Sequence, residues 1–139
     1  MMRLDTKEPM KIPDLTNVNE AGVKDWDETT EPLRSAAKAA HLKFYSVDLS
    51  KIAGKPALLK ALEKGIHLPD HFGHNWDALA DCLEDDEWMD KNGVVILWQG
   101  AEQFRKSHHE DFETALDIFS EASEYWQEHR KPFWLFLAD

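Results

Sequence analysis

Two stretches of this sequence mass carboxylates with no compensating base. Between Gly65 and Asp90 stand Asp70, Asp77, Asp81, Glu84, Asp85, Asp86, Glu87 and Asp90. Between Ser107 and His129 stand Glu110, Asp111, Glu113, Asp117, Glu121, Glu124 and Glu128. Neither stretch holds a Lys or Arg, and together they carry fifteen of the 27 acidic residues. Acids so placed suit metal ligation with neighbouring histidines, paired acid–base catalysis, or recognition of a basic partner.

The first two chemistries fit the spacing poorly. His67, His71 and His74, with Asp70 or Asp77 as an oxygen ligand, have metal-binding spacing only on a helix, and Pro69 and Gly73 disfavour one there. A loop of metal-free histidines is the simpler reading, and it leaves His71 to stack on or hydrogen-bond a partner. Asp77 and Asp81 form a candidate hydrolytic pair, but no nucleophile, phosphate loop or cofactor motif accompanies them. Cys82 neighbours Leu79 and Leu83 in the helical pattern and reads as a small buried hydrophobe. His108 and His109 just precede a helix and read as surface.

The elements expected to carry these residues sharpen the third chemistry. A helix from about Asn75 to Asp86, with Asn75 as N-cap, places Trp76, Leu79, Ala80 and Leu83 on a core stripe. Asp77, Asp81 and Asp85 then share another face, where like charges at i, i+4 repel by a few tenths of a kcal/mol per pair. Asp85 and Asp86 fall near the C-terminus, where the macrodipole disfavours anions. A long helix from about Glu110 to Gln127 repeats the pattern. It sets Asp117, Glu121 and Glu124 opposite Phe112, Leu116, Phe119 and Trp126. A sequence shaped for folding alone places Lys or Arg at such positions, so the acid reads as a binding face. The competing reading is an ordinary solvated surface.

The remaining segments supply the scaffold. Thr30 has the place of a helix N-cap, followed by Leu33, Ala36, Ala37 and Ala40 on one face. Phe44 to Leu49 reads as a strand. Lys55 to Lys64 reads as a helix with Pro56 in its first turn and Gly65 as a C′ glycine. An ordered loop follows over His67 to His74. Asn92-Gly93 marks a turn before Val94 to Trp98, an apolar run suited to a strand buried on both faces. A short turn or helix over Glu102 to Lys106 precedes the long helix, and Phe133 to Leu137 is a second wholly apolar strand. Trp98, Trp126 and Trp134 read as core, Trp76 and Trp88 as core or rim. Val23 to Asp27 reads as a short edge strand, and residues 1 to about 20 as a flexible arm or irregular packing. The alternation predicts an α/β fold, a small parallel sheet of three or four strands flanked by helices.

Composition sets the class. The 139 residues are 42% hydrophobic and 31% charged, enough for one folded domain. The net charge of −11 argues against nucleic acid or an anionic membrane as partner and favours a basic protein. One cysteine suits a reducing compartment, and neither a membrane-length apolar run nor a secretory core is expected, which points to a cytoplasmic protein.

One segment carries a family pattern: Leu68-Pro69-Asp70-His71-Phe72-Gly73-His74-Asn75-Trp76-Asp77-Ala78-Leu79-Ala80-Asp81-Cys82-Leu83. It resembles the central motif of the barstar family, intracellular protein inhibitors of ribonucleases. The shared core is Leu-Pro, two residues, an aromatic, Gly-x-Asn-x-Asp-Ala-Leu, one residue and Asp-Cys-Leu. The resemblance covers about His41 to Asp139 and leaves residues 1–40 as an N-terminal extension that adds a strand and a helix at the sheet edge.

The resemblance implies that the loop and helix plug a ribonuclease active site, with carboxylates standing where RNA phosphates would lie. The implied loop contacts are His71, Phe72, Gly73 and Asn75, and the helix contacts are Asp77, Ala80 and Asp81. Glu121 joins them from the last long helix. Asp81 is the implied main phosphate mimic, flanked by Asp77 and Glu121. The complex would be one to one, without cofactor or metal, formed by an inhibitor, not an enzyme, that is monomeric when free. Two positions depart from the best-known member, which has two aromatics at His71-Phe72 and a tryptophan at Ala80. The alternative is an acidic nucleic-acid mimic or adaptor for another basic protein, such as an immunity protein to a different nuclease toxin.

Overall fold

Val94–Gln99 and Phe133–Leu137 offer almost no polar side chain to water, so both faces of each must be covered. In the computed structural model, which describes residues 12–70 and 72–139, they are the two central strands of a sheet. The chain runs β1 (Val23–Asp25), α1 (Thr30–Ala39), β2 (Lys43–Asp48), α2 (Lys55–Gly65), α3 (Trp76–Leu83), β3 (Val94–Gln99), α4 (Ala101–Ser107), α5 (His109–Glu128) and β4 (Phe133–Leu137). Among the described residues the four strands form one all-parallel sheet in the order β1-β4-β3-β2. The fold is therefore α/β, with a small parallel sheet flanked by helices.

Side chains alternate across the central strands and build two cores. Val94, Ile96, Trp98, Phe133 and Leu135 face α2, α3, α4 and α5. Val95, Leu97, Trp134 and Phe136 face α1 and Leu15. Indole N–H groups tie irregular backbone to these cores. Trp134 Nε1 donates to the Leu15 carbonyl at 2.8 Å, Trp88 Nε1 to that of Ile66 at 2.7 Å and Trp126 Nε1 to that of Leu83 at 2.7 Å. Residues 12–20 are thus irregular packing, with Leu15 buried; residues 1–11, the rest of the expected arm, lie outside the described residues.

Several boundaries differ from the sequence reading. Thr30 is the first residue of α1, not its cap; its hydroxyl accepts from Gln99 Nε2 at 2.9 Å. Gly65 is the last residue of α2, not a C′ glycine, and His67 takes the left-handed backbone instead at φ 57°. Packing explains the glycine, since a Cβ there would lie 2.7 Å from Val47 Cγ2 on β2. The strand β1 ends at Asp25, two residues short of the sequence reading; Trp26 still donates its N–H to the Leu137 carbonyl at 2.8 Å and sets its indole edge-on to Phe136 at 5.7 Å. The helix α3 ends at Leu83, three residues early. Asp85 Oδ1 accepts from the Glu87 N–H at 2.8 Å, and the Asp85 carbonyl accepts from the N–H groups of Trp88 and Met89. A local side-chain acceptor of this kind competes with helix continuation. The turn it forms carries Trp88 and Met89 back into the core, which places Trp88 as core; Trp76 is half-buried.

Candidate partner-binding face

The loop between α2 and α3 is anchored at both ends. Ile66 and Leu68 are buried, and the Phe72 N–H donates to the Pro69 carbonyl at 2.9 Å. Outside, His74 Nε2 lies 2.7 Å from Glu63 Oε1 on α2, and its ring rests 5.0 Å from that of Phe72. Asn75 then caps α3, its Oδ1 accepting from the Ala78 N–H at 2.8 Å, as the sequence predicts. The Asn75 amide donates back to the Gly73 carbonyl at 3.3 Å, so one side chain fixes both the loop and the helix start. Gly73 is exposed and its φ is not in the left-handed region, so a side chain there meets little beyond Asn75 Nδ2, 3.3 Å from an added Cβ.

From this start α3 presents Asp77 and Asp81 to solvent one turn apart, with Leu79, Cys82 and Leu83 buried behind them. Asp77 sits in the first turn, where the macrodipole favours an anion. The Lys55 ammonium lies 5.3 Å over the Trp76 ring, so that indole is capped by a cation. Ala80 is half-buried.

Docking of α5 adds further acid. The Trp126–Leu83 hydrogen bond fixes the end of α3 against α5, and the exposed Glu121 is then close enough to act on Glu84. Burial pushes the Glu84 carboxyl up from its usual range; the charges of Glu121 and Asp81 push the same way, and His129 opposes them. Asp85, off the helix, still lines a hollow of about 210 Å³ with Ala78, Asp81 and Cys82. Burial also raises the Cys82 thiol, with Asp85 and Asp81 reinforcing it. A thiol held neutral in this way is a poor nucleophile.

Among the described residues, no base lies within ion-pairing distance of Asp77, Asp81, Glu84, Asp85 or Glu121. Three or more His, Cys, Asp or Glu side chains are nowhere close enough among these residues to hold a metal ion. Nor is any helix among them long and apolar enough to cross a membrane.

The residues singled out in the sequence divide accordingly. Gly73, Asn75, Asp77 and Asp81 are exposed along the loop and α3, and Glu121 is exposed on the helix packed beside them. Phe72 is only 4% exposed, so its ring positions the loop from within and does not project from it. His71 lies outside the described residues. Glu84, given no role in the sequence reading, joins the acidic group because α3 and α5 meet at its position. The sequence placed it within the base-free acidic stretch after Asp81-Cys82-Leu83, with nothing to link it to Glu121.

A family model described as Barstar (barnase inhibitor) matches residues 42–138, more than two thirds of the chain. The match runs from just before β2 through β4 and takes in the anchored loop, α3 and Glu121, while β1 and α1 fall outside it. With that span and an intact loop–helix motif, the chain belongs to the Barstar (barnase inhibitor) family.

Proposed function

We propose that this protein inhibits a ribonuclease by inserting the 66–75 loop and α3 into the enzyme's basic active site. The observation that carries the reading is the group Asp77, Asp81, Glu84, Asp85 and Glu121, with no base within ion-pairing distance among the described residues, in a chain of this family. A cleft that holds RNA phosphates must be positive, and carboxylates without internal partners are complementary to it. Asp81, exposed mid-helix, is the main phosphate mimic. Asp77 and Glu121 flank it and meet basic side chains through charge-assisted bonds. Gly73 and Asn75 offer close backbone and amide contact, Ala80 a small apolar one, and His71 a polar ring. Phe72 acts by holding the loop.

The complex is one to one and reversible, needs no cofactor, and forms from a free monomer in the cytoplasm. The protein acts as an inhibitor, not an enzyme, on a barnase-like or related guanine-preferring nuclease. Residues 41–139 are the inhibitor domain and residues 1–40 an extension. A broader reading, an acidic adaptor or immunity protein for another basic protein, is favoured by the acid that continues past this face to Asp117 and Glu124, both exposed on α5.

The test is titration into a small, basic, guanine-preferring microbial ribonuclease, following RNA cleavage at low and moderate salt. Stoichiometric inhibition that depends on Asp81, Asn75 and Gly73 supports the plug. Inhibition that tracks total negative charge alone supports the adaptor.

A further inference from the structure

At the edge of the sheet where β2, β3 and β4 begin, a crevice of about 390 Å³ gathers His41, Lys91, Arg130 and Lys131 around Asn92 and Pro132. The chain carries 27 acids against 16 Lys and Arg, yet no carboxylate lines this crevice; Asp90, whose Oδ2 accepts from the Asn92 N–H at 3.2 Å, adjoins it. The ion pairs among the described residues are Arg34–Glu31, His74–Glu63, Arg105–Glu102 and His109–Glu113, and none involves His41, Lys91, Arg130 or Lys131. Asn92 Nδ2 donates to the His41 carbonyl at 3.1 Å and joins two sides of the crevice.

The backbone adds a second observation. Both α1 and α5 end in a six-to-one turn: the Leu42 N–H reaches the Ala37 carbonyl at 2.9 Å, and the Lys131 N–H that of Trp126 at 2.9 Å. The left-handed residue such an ending needs is ordinarily glycine. Here it is His41 at φ 63° and Arg130 at φ 65°, and both line the crevice; α2 ends the same way at His67, φ 57°, which does not. Helix macrodipoles favour a cation at each of these C-termini. They do not account for Lys91, which lies in the turn before β3 and ends no helix.

We propose that this crevice is an anion site for a small phosphate ester of about mononucleotide size. The crevice is open to solvent and has room along its floor for a ligand of that size. Arg130 supplies a planar fork of donors and Lys91 a mobile point charge, the pairing that phosphate oxygens accept. Ala40, Leu42 and Pro132 give an apolar wall for the rest of the ligand. Glu121 lies seven residues before the end of α5 at Glu128, about 10 Å of helical rise, and Arg130 follows in the turn beyond that end, so the site is separate from Asp81 and Glu121.

The test records amide shifts of the full chain during titration with inorganic pyrophosphate and with adenosine 5′-monophosphate, at low ionic strength. The expected result is saturable shifts at residues 41, 91, 92, 130 and 131, and at least a tenfold weaker affinity in the Lys91→Ala/Arg130→Gly variant. Glycine takes the left-handed position without strain, so this variant folds at least as well as the parent and its loss is one of binding. Lys60→Ala, on the exposed side of α2, should bind as the parent does. Unchanged affinity in the double variant, or equal shifts at Lys60 and Lys64, overturns the site. Shifts with a single-stranded RNA octamer but with neither small anion overturn the ligand class.

Discussion

Asp81 and Glu87 are both exposed acids, but only one stands on the face that the loop and α3 build. If Asp81 meets a basic side chain inside a closed interface, Asp81→Ala leaves that charge buried and unpaired. The loss of affinity should be about 2–5 kcal/mol, a general range that itself draws on complexes of this family. Glu87→Ala, at the rim, should change affinity by less than about 1 kcal/mol. Inhibition curves for the two variants check this, and equal losses contradict the plug. Glu84 makes a separate prediction. Its carboxyl is raised by burial, Glu121 and Asp81, so above the ordinary glutamate range the native state holds a proton that the unfolded chain has released. The native state then binds more protons, and stability falls as pH rises through that window. Glu84→Gln should therefore raise the unfolding midpoint at neutral pH, remove part of that pH dependence, and weaken binding to a basic partner. Urea melts at pH 5 and pH 7 read the first two effects. A variant less stable at pH 7 contradicts the assignment.

At the scale of elements, the start of α3 hangs on one side chain. Asn75 satisfies the Ala78 N–H and holds the Gly73 carbonyl, so Asn75→Ala should cost about 1 kcal/mol of stability. It should cost further affinity, because the loop loses its register with the helix; chemical denaturation and inhibition assays separate the two. On the neighbouring helix, Gly65→Ala pushes a methyl against Val47 and should destabilise by about 1–3 kcal/mol, as overpacking does. A midpoint unchanged in that variant would show that α2 can shift away from β2.

The same elements show what the sequence made legible. The two unbroken apolar runs read directly as central strands, and Asn75 as a cap, because both signals are local. The end of α3 did not read, because Glu84 to Asp86 continue the helical pattern and only the Asp85 side chain, turned onto Glu87, stops it. Phe72 matched a contact position by type, but its depth depends on α2 and the core beneath it. Glu84 lies 37 residues from Glu121, and no periodicity links them; the packing of α3 on α5 does.

Across the whole molecule, charge is segregated. Among the described residues Asp77, Asp81, Glu84, Asp85 and Glu121 have no base within ion-pairing distance, while Lys91, Arg130 and Lys131 collect where the strands begin. Segregation of this kind speeds encounter with an oppositely charged partner and loses that advantage as salt rises. Association with a basic ribonuclease should slow by tenfold or more between low and moderate salt, with dissociation changing far less. Of the extra strand and helix outside the family match, β1 extends the sheet beside β4 and α1 covers its second face, with Leu33 and Ala37 fully buried against it. Their part in the account is to hold the scaffold, so they contribute no charge to the binding face.

The most direct measurement titrates the protein into a small, basic, guanine-preferring microbial ribonuclease and follows RNA cleavage, with the Asp81→Ala variant in parallel. The expected result is a break at one equivalent for the parent chain and loss of inhibition for the variant at the same concentration. Full inhibition by the variant, or none by the parent at micromolar concentration, contradicts the claim that this loop and helix close such an active site.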